Sequence, residues 1–387
     1  MNVQPLVIAG GAVVTPSGVV DAGQVVVGGD GRIIVVGATG AVETSADAAV
    51  IDATGCWVSP GFIDVQINGG HGIDLTSEPE RAVELARSLP RYGVTSFLPT
   101  IITCEEERRS AALAWWAAGR DSSQAGGAVP LGLHLEGPML AVSRRGAHPL
   151  ELLRQPEHGL IDGWSRANGV LLATLAPELP GALELITALT GRGVVVSIGH
   201  TDCTAEQFAA GVAAGAAYVT HLFNAMRPFV HRDPGPIGAT LADDGVVAGL
   251  ICDGIHVDPV AVRMAWRALG PDRLNLVTDA VAVLGSEPGE SRLGSVEVTA
   301  DGGGVRTASG VLAGSDLSLD RAVRNLVAFT GCSVPDAVRT VTATPARLLG
   351  LTDRGTLEPG ASADVTVLDA DLAVVATVVG GEVAWKS

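Results

Sequence analysis

Four residues of this chain could build a hydrolytic site on a metal ion: Glu136, His200, His221 and Asp279. Neutral imidazole is a common ligand for a divalent metal. One carboxylate with two imidazoles leaves a coordination position open for water, as catalytic zinc sites do. Such an ion lowers the pKa of that water toward about 7. Asp279 could then take the water's proton and return it to a leaving amine. The plainer readings are two unrelated histidines, one of them in the core, and an aspartate that caps a helix. All four residues close different apolar runs, and that convergence favours a site.

The two histidines bracket one stretch, 197–228, that reads as strand, helix, strand. A short β-branched run leads into Gly199-His200. Thr204 and Gln207 make a capping box before an Ala-rich helix. Gly215 punctuates its end, and a second apolar run leads into His221. Parallel strands joined by crossover helices build their sites at the C-terminal ends of the strands. Candidate strands recur at 62–67, 94–99, 131–136, 170–176, 194–200, 218–223, 246–252 and 274–279. Eight such units predict an α/β fold, a (β/α)8 TIM-like barrel over 60–349. The alternative, an open doubly wound sheet, lacks a Gly-rich dinucleotide loop after the early strands. Residues 1–59 and 350–387 carry short β-branched runs with turn signals at Gly28–Asp30–Gly31 and Gly380–Gly381. Neither piece buries enough apolar surface alone, so both chain termini are expected to pair into one small β-sandwich domain. Residues 124–128 read as a loop.

Composition removes several function classes. A net charge of -17 over 387 residues disfavours nucleic acid and anionic membrane as partners. It also requires local positive groups wherever an anionic substrate binds. No apolar run reaches transmembrane length, and no basic secretory n-region is present. Five widely spaced cysteines without a CxxC pair suggest reduced thiols and a cytoplasmic location. Cys203 and Cys252 read as packing residues. Lys386 is the only lysine.

Several ordered motifs carry a resemblance. They are Pro60-Gly61-Phe62-Ile63-Asp64, His134-Leu135-Glu136-Gly137-Pro138, Gly199-His200-Thr201, Thr220-His221-Leu222-Phe223-Asn224-Ala225-Met226, Asp253-Gly254-Ile255-His256 and Val277-Thr278-Asp279-Ala280. Together they are similar to those of the amidohydrolase superfamily, and within it the family of N-acetylglucosamine-6-phosphate deacetylases. The resemblance implies a metal on Glu136, His200 and His221, with Asp279 as acid and base. It implies that His148 polarises the acetamide carbonyl. It also implies that His256 meets the sugar phosphate, with Arg232 reaching across a homodimer interface; backbone amides near Asn224 and Ala225 could add donors. The plainer reading of Arg232 is a surface pair with Asp233, and Arg144 and Arg145 read only as a diffuse positive field.

Many amidohydrolases carry His-x-His at the end of the first barrel strand, and many binuclear members add a carboxylated lysine. Here the matching positions are Gln66 and Asn68, poor ligands for a second zinc, and no barrel lysine exists. One divalent ion per subunit is therefore expected, zinc first, with iron, manganese or cobalt as alternatives. The implied reaction is hydrolysis of the N-acetyl group of N-acetylglucosamine 6-phosphate to glucosamine 6-phosphate and acetate. Alternatives are the galactosamine epimer, another amidohydrolase amide-bond hydrolysis, or a non-catalytic metal-stabilised barrel.

Overall fold

The computed structural model describes residues 3–40, 47–119 and 126–387. Of the expected loop 124–128, positions 124 and 125 lie outside the described residues. Eight parallel strands form the barrel: Phe62–Ile67, Val94–Ile102, Leu133–Glu136, Val170–Leu175, Val195–Ile198, Ala216–Val219, Val247–Ile251 and Leu274–Val277. Each pairs in parallel with the next. Closure between the eighth and first strands rests on one parallel bridge, Ile67 to Ala280, and on Asp279 N–H donating to the Gln66 carbonyl at 2.9 Å.

These strands form because β-branched and leucine side chains fill both faces. The first, second and fourth are buried at every position. Burial on both faces is what a parallel sheet under helices demands, and the polar members Asp64, Gln66 and Thr100 are buried with the rest. Burying one such Leu, Ile or Val contributes about 1.5–3 kcal/mol relative to leaving it exposed. The core joins barrel strands to helix residues such as Leu185, Phe208, Val262 and Leu326.

The capping box is present. Thr204 Oγ1 accepts from Gln207 N at 3.2 Å, and Gln207 Oε1 accepts from Thr204 N at 2.9 Å. The helix it starts, Ala205–Ala213, returns the chain to the sixth strand. His200 and His221 therefore sit two residues beyond the ends of adjacent strands.

The two termini build a separate, mainly antiparallel sheet. Val365–Leu368 of the C-terminal part pairs with Trp57–Pro60 of the N-terminal part, and Gly28–Gly31 turns the chain between Gly18–Val27 and Ile33–Ala38. The core of this sheet holds Ile8, Val25 and Val58 beside Val365, Val367 and Ala376.

One element was not expected. After the eighth barrel strand the chain makes a three-stranded antiparallel sheet: Glu290–Leu293, Val296–Ala300 and Val305–Thr307. Its buried side chains Leu293, Val298 and Val305 pack on Ile102, Val281 and Val283. This seats the small sheet at the C-terminal ends of the barrel strands, where it forms one wall of the cavity described next.

Candidate active site

A cavity of about 550 Å³ opens there. Glu136, His148, His200, His221, Asn224, Ala225, His256, Asn68 and Asp279 all line it. Nine of the residues singled out from sequence thus meet in one place, and Gln66 hydrogen-bonds to two of them from just below. Arg232 does not line the cavity; it is exposed on its own chain. Its expected alternative partner, Asp233, is instead held by Arg227, whose Nε donates at 2.9 Å.

At the floor three atoms form a triangle. Glu136 Oε1, His200 Nε2 and His221 Nε2 lie 3.1 Å from one another. All three side chains are at most 6% exposed. Two imidazole nitrogens and a carboxylate oxygen this close, and this dry, make a donor set that one cation could share. Ligands at about 2.0–2.2 Å on a tetrahedral ion stand roughly 3.4 Å apart, so the donor set and its spacing fit a divalent metal. His148 adds a fourth candidate: single ligand atoms of Glu136, His148 and His200 lie within 4.8 Å of one another.

The surroundings select which nitrogen of each ring faces the triangle. His200 Nδ1–H donates to the Arg144 carbonyl at 2.9 Å, which leaves Nε2 free of a proton to bind an ion. Arg144 is itself anchored by Asp202 at 2.8 Å. The diffuse field expected of Arg144 and Arg145 is therefore replaced by two specific contacts, because Arg145 Nη1 also donates to the His148 carbonyl at 3.0 Å. His221 Nδ1 is buried with no hydrogen-bond partner among the described residues.

His148 is turned the opposite way. Thr103 N–H points at its Nδ1 from 3.4 Å and the Thr103 hydroxyl lies 2.8 Å from the same atom. A ring nitrogen that accepts there carries its proton on Nε2. Burial, with the nearby charge of His200, pushes the His148 pKa down to about 3, so the ring is neutral and a hydrogen-bond donor.

Charge is balanced around the triangle. Burial opposes ionisation of Glu136, but the adjoining His200 and His221 imidazoles hold it well below the usual carboxylate range. Burial likewise opposes protonation of His221, and the hydrogen bond and charge of Glu136 outweigh it, raising its pKa. Asp279 is pushed up to about 6, first by burial and then by the charge of Glu136. Asn68 Nδ2 donates to Asp279 Oδ1 at 2.7 Å and Gln66 Nε2 to the same oxygen at 3.1 Å. Gln66 also reaches Glu136 Oε2 at 3.4 Å. The amide oxygens of both residues are buried without a partner among the described residues.

The backbone here is strained. His200, His221, Ala225 and Asp279 adopt positive φ of 47°, 32°, 51° and 49°, a region L-residues enter at a cost and mostly at functional sites. Gly199 makes the turn into His200 possible: a Cβ there would lie 2.8 Å from Thr174 Cγ2 and 2.9 Å from Thr220 Cβ. Beneath the triangle a hydroxyl network fills the barrel. His134 Nε2 meets Thr174 Oγ1 at 2.8 Å, which meets Thr220 Oγ1 at 2.8 Å, which meets Ser197 Oγ at 2.6 Å. Burial drives the His134 pKa down to about 4, so it is a neutral link in that floor.

Sequence reasoning missed Thr103, the Arg144 carbonyl and Arg306, which lines the cavity from the small sheet. The alternating run through Glu290–Leu293 and Val296–Ala300, broken by Gly294, was the available signal for that sheet. Cys203, buried and pushed up to about 12 mainly by burial, is unreactive packing.

A buried Glu-His-His triangle at the mouth of a (β/α)8 barrel, beside a carboxylate, defines a metal-dependent hydrolase of the amidohydrolase type. The chain belongs to the amidohydrolase family, whose model matches residues 57–384. Within that family its relatives are N-acetylglucosamine-6-phosphate deacetylases. The Bos taurus enzyme is 43% identical over 87% of this chain and 85% of its own. The Bacillus subtilis enzyme is 39% identical over 85% and 84%. Among solved structures, the Pasteurella multocida deacetylase superposes with a TM-score of 0.92 at 29% identity, covering 99% of this chain and 100% of that one. A mutant of the Mycobacterium smegmatis deacetylase, in complex with N-acetyl-D-glucosamine-6-phosphate, gives 0.90 at 34% identity, covering 98% and 99%. Among the described residues no helix is long and apolar enough to cross a membrane.

Proposed function

We propose that this chain hydrolyses the N-acetyl group of N-acetylglucosamine 6-phosphate, releasing acetate and glucosamine 6-phosphate. The observation that carries the reading is the 3.1 Å triangle of Glu136, His200 and His221 with Asp279 on the same cavity wall. Its relatives' activity supplies the substrate class.

Glu136, His200 and His221 would hold one divalent ion, zinc first, with iron, manganese or cobalt as alternatives. Bound there, it supplies Lewis acidity, lowering the pKa of a water and polarising the amide carbonyl. Asp279 takes the proton from the attacking water and delivers it to the amine nitrogen as the C–N bond breaks. Gln66 and Asn68 hold the Asp279 carboxylate in place by two amide donors. They occupy the positions where a second ion would need ligands, which supports one ion per subunit. His148, with Nε2 as the protonated nitrogen, donates to the carbonyl oxygen as negative charge builds on it. That tautomer argues for a donor role over a ligand role.

The phosphate needs cations. His256 Nδ1 is engaged by Asp253 Oδ2 at 2.6 Å, which turns the other ring nitrogen to the ligand. Arg232 supplies the second contact from the partner subunit of a homodimer. Its exposure, beside Phe229 at 52% and Val230 at 50% exposed, supports a role across an interface. Backbone groups at Asn224 and Ala225, on a left-handed turn, complete the subsite. The reading places the protein in the cytoplasm, where sugar phosphates occur.

Acetate release followed by proton NMR tests this reading. N-acetylglucosamine 6-phosphate should be turned over, and the unphosphorylated sugar should not at comparable concentration. Faster turnover of the galactosamine epimer would reassign the substrate, and no acetate from either would refute the reading.

A further inference from the structure

Outside the cavity a second buried acid, Asp64, is linked to Asp279 through Gln66 and Thr278. Asp64 lies on the first barrel strand and is fully buried. Its Oδ2 accepts from Thr278 Oγ1 at 2.6 Å. Its Oδ1 accepts from the Gln66 and Thr278 backbone N–H groups at 3.2 and 3.4 Å. It therefore grips both chain segments that flank Asp279: the first strand, whose Gln66 carbonyl accepts the Asp279 N–H at 2.9 Å, and the eighth, through Thr278.

Thr278 carries that grip across Asp279. Its hydroxyl donates to Asp64 and accepts the Ala280 N–H at 3.1 Å, so one side chain staples the residues before and after Asp279. Ser315 closes the other side. Its N–H donates to the Asp279 carbonyl at 2.9 Å and its hydroxyl to the Thr278 carbonyl at 2.6 Å. Between these clamps Asp279 keeps a φ of 49°, which an L-residue leaves unless its neighbours over-determine it.

We infer that Asp64 is a positioning residue for Asp279: acting through Thr278, it holds the left-handed backbone from which the Asp279 carboxylate is aimed. The inference rests on the deacetylase reading for the role of Asp279. It assigns work to an acid in a barrel interior where burial of a carboxyl is costly and where a bulky aliphatic side chain would otherwise fill the space. Without the clamp, Asp279 relaxes toward ordinary backbone angles and its carboxylate swings away from the triangle. A displacement of this kind costs on the order of 10²-fold in rate when it misplaces a reacting group.

The test compares Asp64→Ala, Asp64→Asn, Thr278→Val and the Asp64→Ala/Thr278→Val double variant in the metal-loaded full chain. Turnover, KM for N-acetylglucosamine 6-phosphate, metal content and melting temperature are measured for each. The inference expects kcat to fall about 10–100-fold in Asp64→Ala and Thr278→Val, with KM and metal content held within a few-fold. Asp64→Asn, whose amide can still bridge the Gln66 and Thr278 groups, should recover most of that loss. The double variant should be no slower than the worse single, since both break one path. A melting-temperature drop with kcat preserved would overturn it, as would losses that multiply in the double variant. Where Asp64→Ala does not fold, Thr278→Val decides alone by the same kcat criterion. A wild-type protein that releases no acetate refutes the deacetylase reading instead, and the inference falls with it.

Discussion

Asn68 Nδ2 lies 2.7 Å from Asp279 Oδ1. This amide donor stabilises the ionised carboxylate. Its hydrogen bond lowers the Asp279 pKa against the larger, opposing effects of burial and of Glu136. Removing it in Asn68→Ala should move the acid limb of the kcat/KM profile to higher pH. A limb unchanged to within experimental error would show that Asn68 does not set the protonation of Asp279.

The Asp279→Asn variant should bind metal and phosphorylated sugar normally but turn over slowly. General acid and base groups contribute about 10²–10⁴-fold, and a group serving in both steps belongs at the upper end. Steady-state kinetics with metal analysis on the same sample checks this. Near wild-type turnover would remove Asp279 from the mechanism.

Metal content separates the ligands from their neighbour. His200→Ala and His221→Ala should each lose the ion on dialysis, because each removes one corner of the 3.1 Å triangle. His148→Ala should keep close to one ion per chain and lose turnover by about 10²–10³-fold, the usual cost of deleting one oxyanion donor. Loss of the ion in His148→Ala, measured by elemental analysis, would make His148 a ligand.

Stability should respond to pH through Asp64. Burial raises its carboxyl to about 7 from an ordinary value of 3.8. The folded state therefore holds this proton more tightly than the unfolded chain. The stabilisation is fully present below pH 3.8, and it is lost as pH rises through about 7. A shift of this size corresponds to an effect on the order of a few kcal/mol. Asp64→Asn carries no such proton, so its melting temperature should gain on wild type between about pH 4 and 7 and then run parallel. A constant difference across that range would mean the carboxyl is ionised throughout.

Much of this was legible in the chain before the fold. The capping box at Thr204 and Gln207, the β-branched runs and the residues that close them placed His200 and His221 side by side, because a parallel barrel puts every strand end on one rim. Glu136 and Asp279 followed from the same rule. What stayed hidden depends on contacts that periodicity does not encode. Thr103, just past the end of the second barrel strand, sets the tautomer of the loop residue His148. The Arg144 carbonyl orients His200, and a main-chain atom leaves no mark on residue type. The small sheet carrying Arg306 is built from strands of three to five residues, too short and too glycine-broken to stand out beside eight barrel strands. The plainer alternative for Arg232, a pair with Asp233, is not formed, because Arg227 takes that carboxylate.

The trans placement of Arg232 can be tested by mixing subunits. Arg232→Ala and Asp279→Asn homodimers should both be nearly inactive on the phosphorylated sugar. Heterodimers formed from them should regain activity, because one of their two sites then has both groups intact. Confirmed heterodimers that remain inactive would place the arginine in its own subunit's site or outside the reaction.

The most direct measurement of the central claim is a single-turnover experiment in ¹⁸O-water with N-acetylglucosamine 6-phosphate and metal-loaded enzyme, wild type beside Asp279→Asn. The account predicts acetate carrying one solvent oxygen, matched one for one by free amine, from the wild type, and a release slower by at least about 10²-fold from the variant. Unlabelled acetate, acetyl transfer to the protein, or equal rates from the two proteins would contradict hydrolysis at this site.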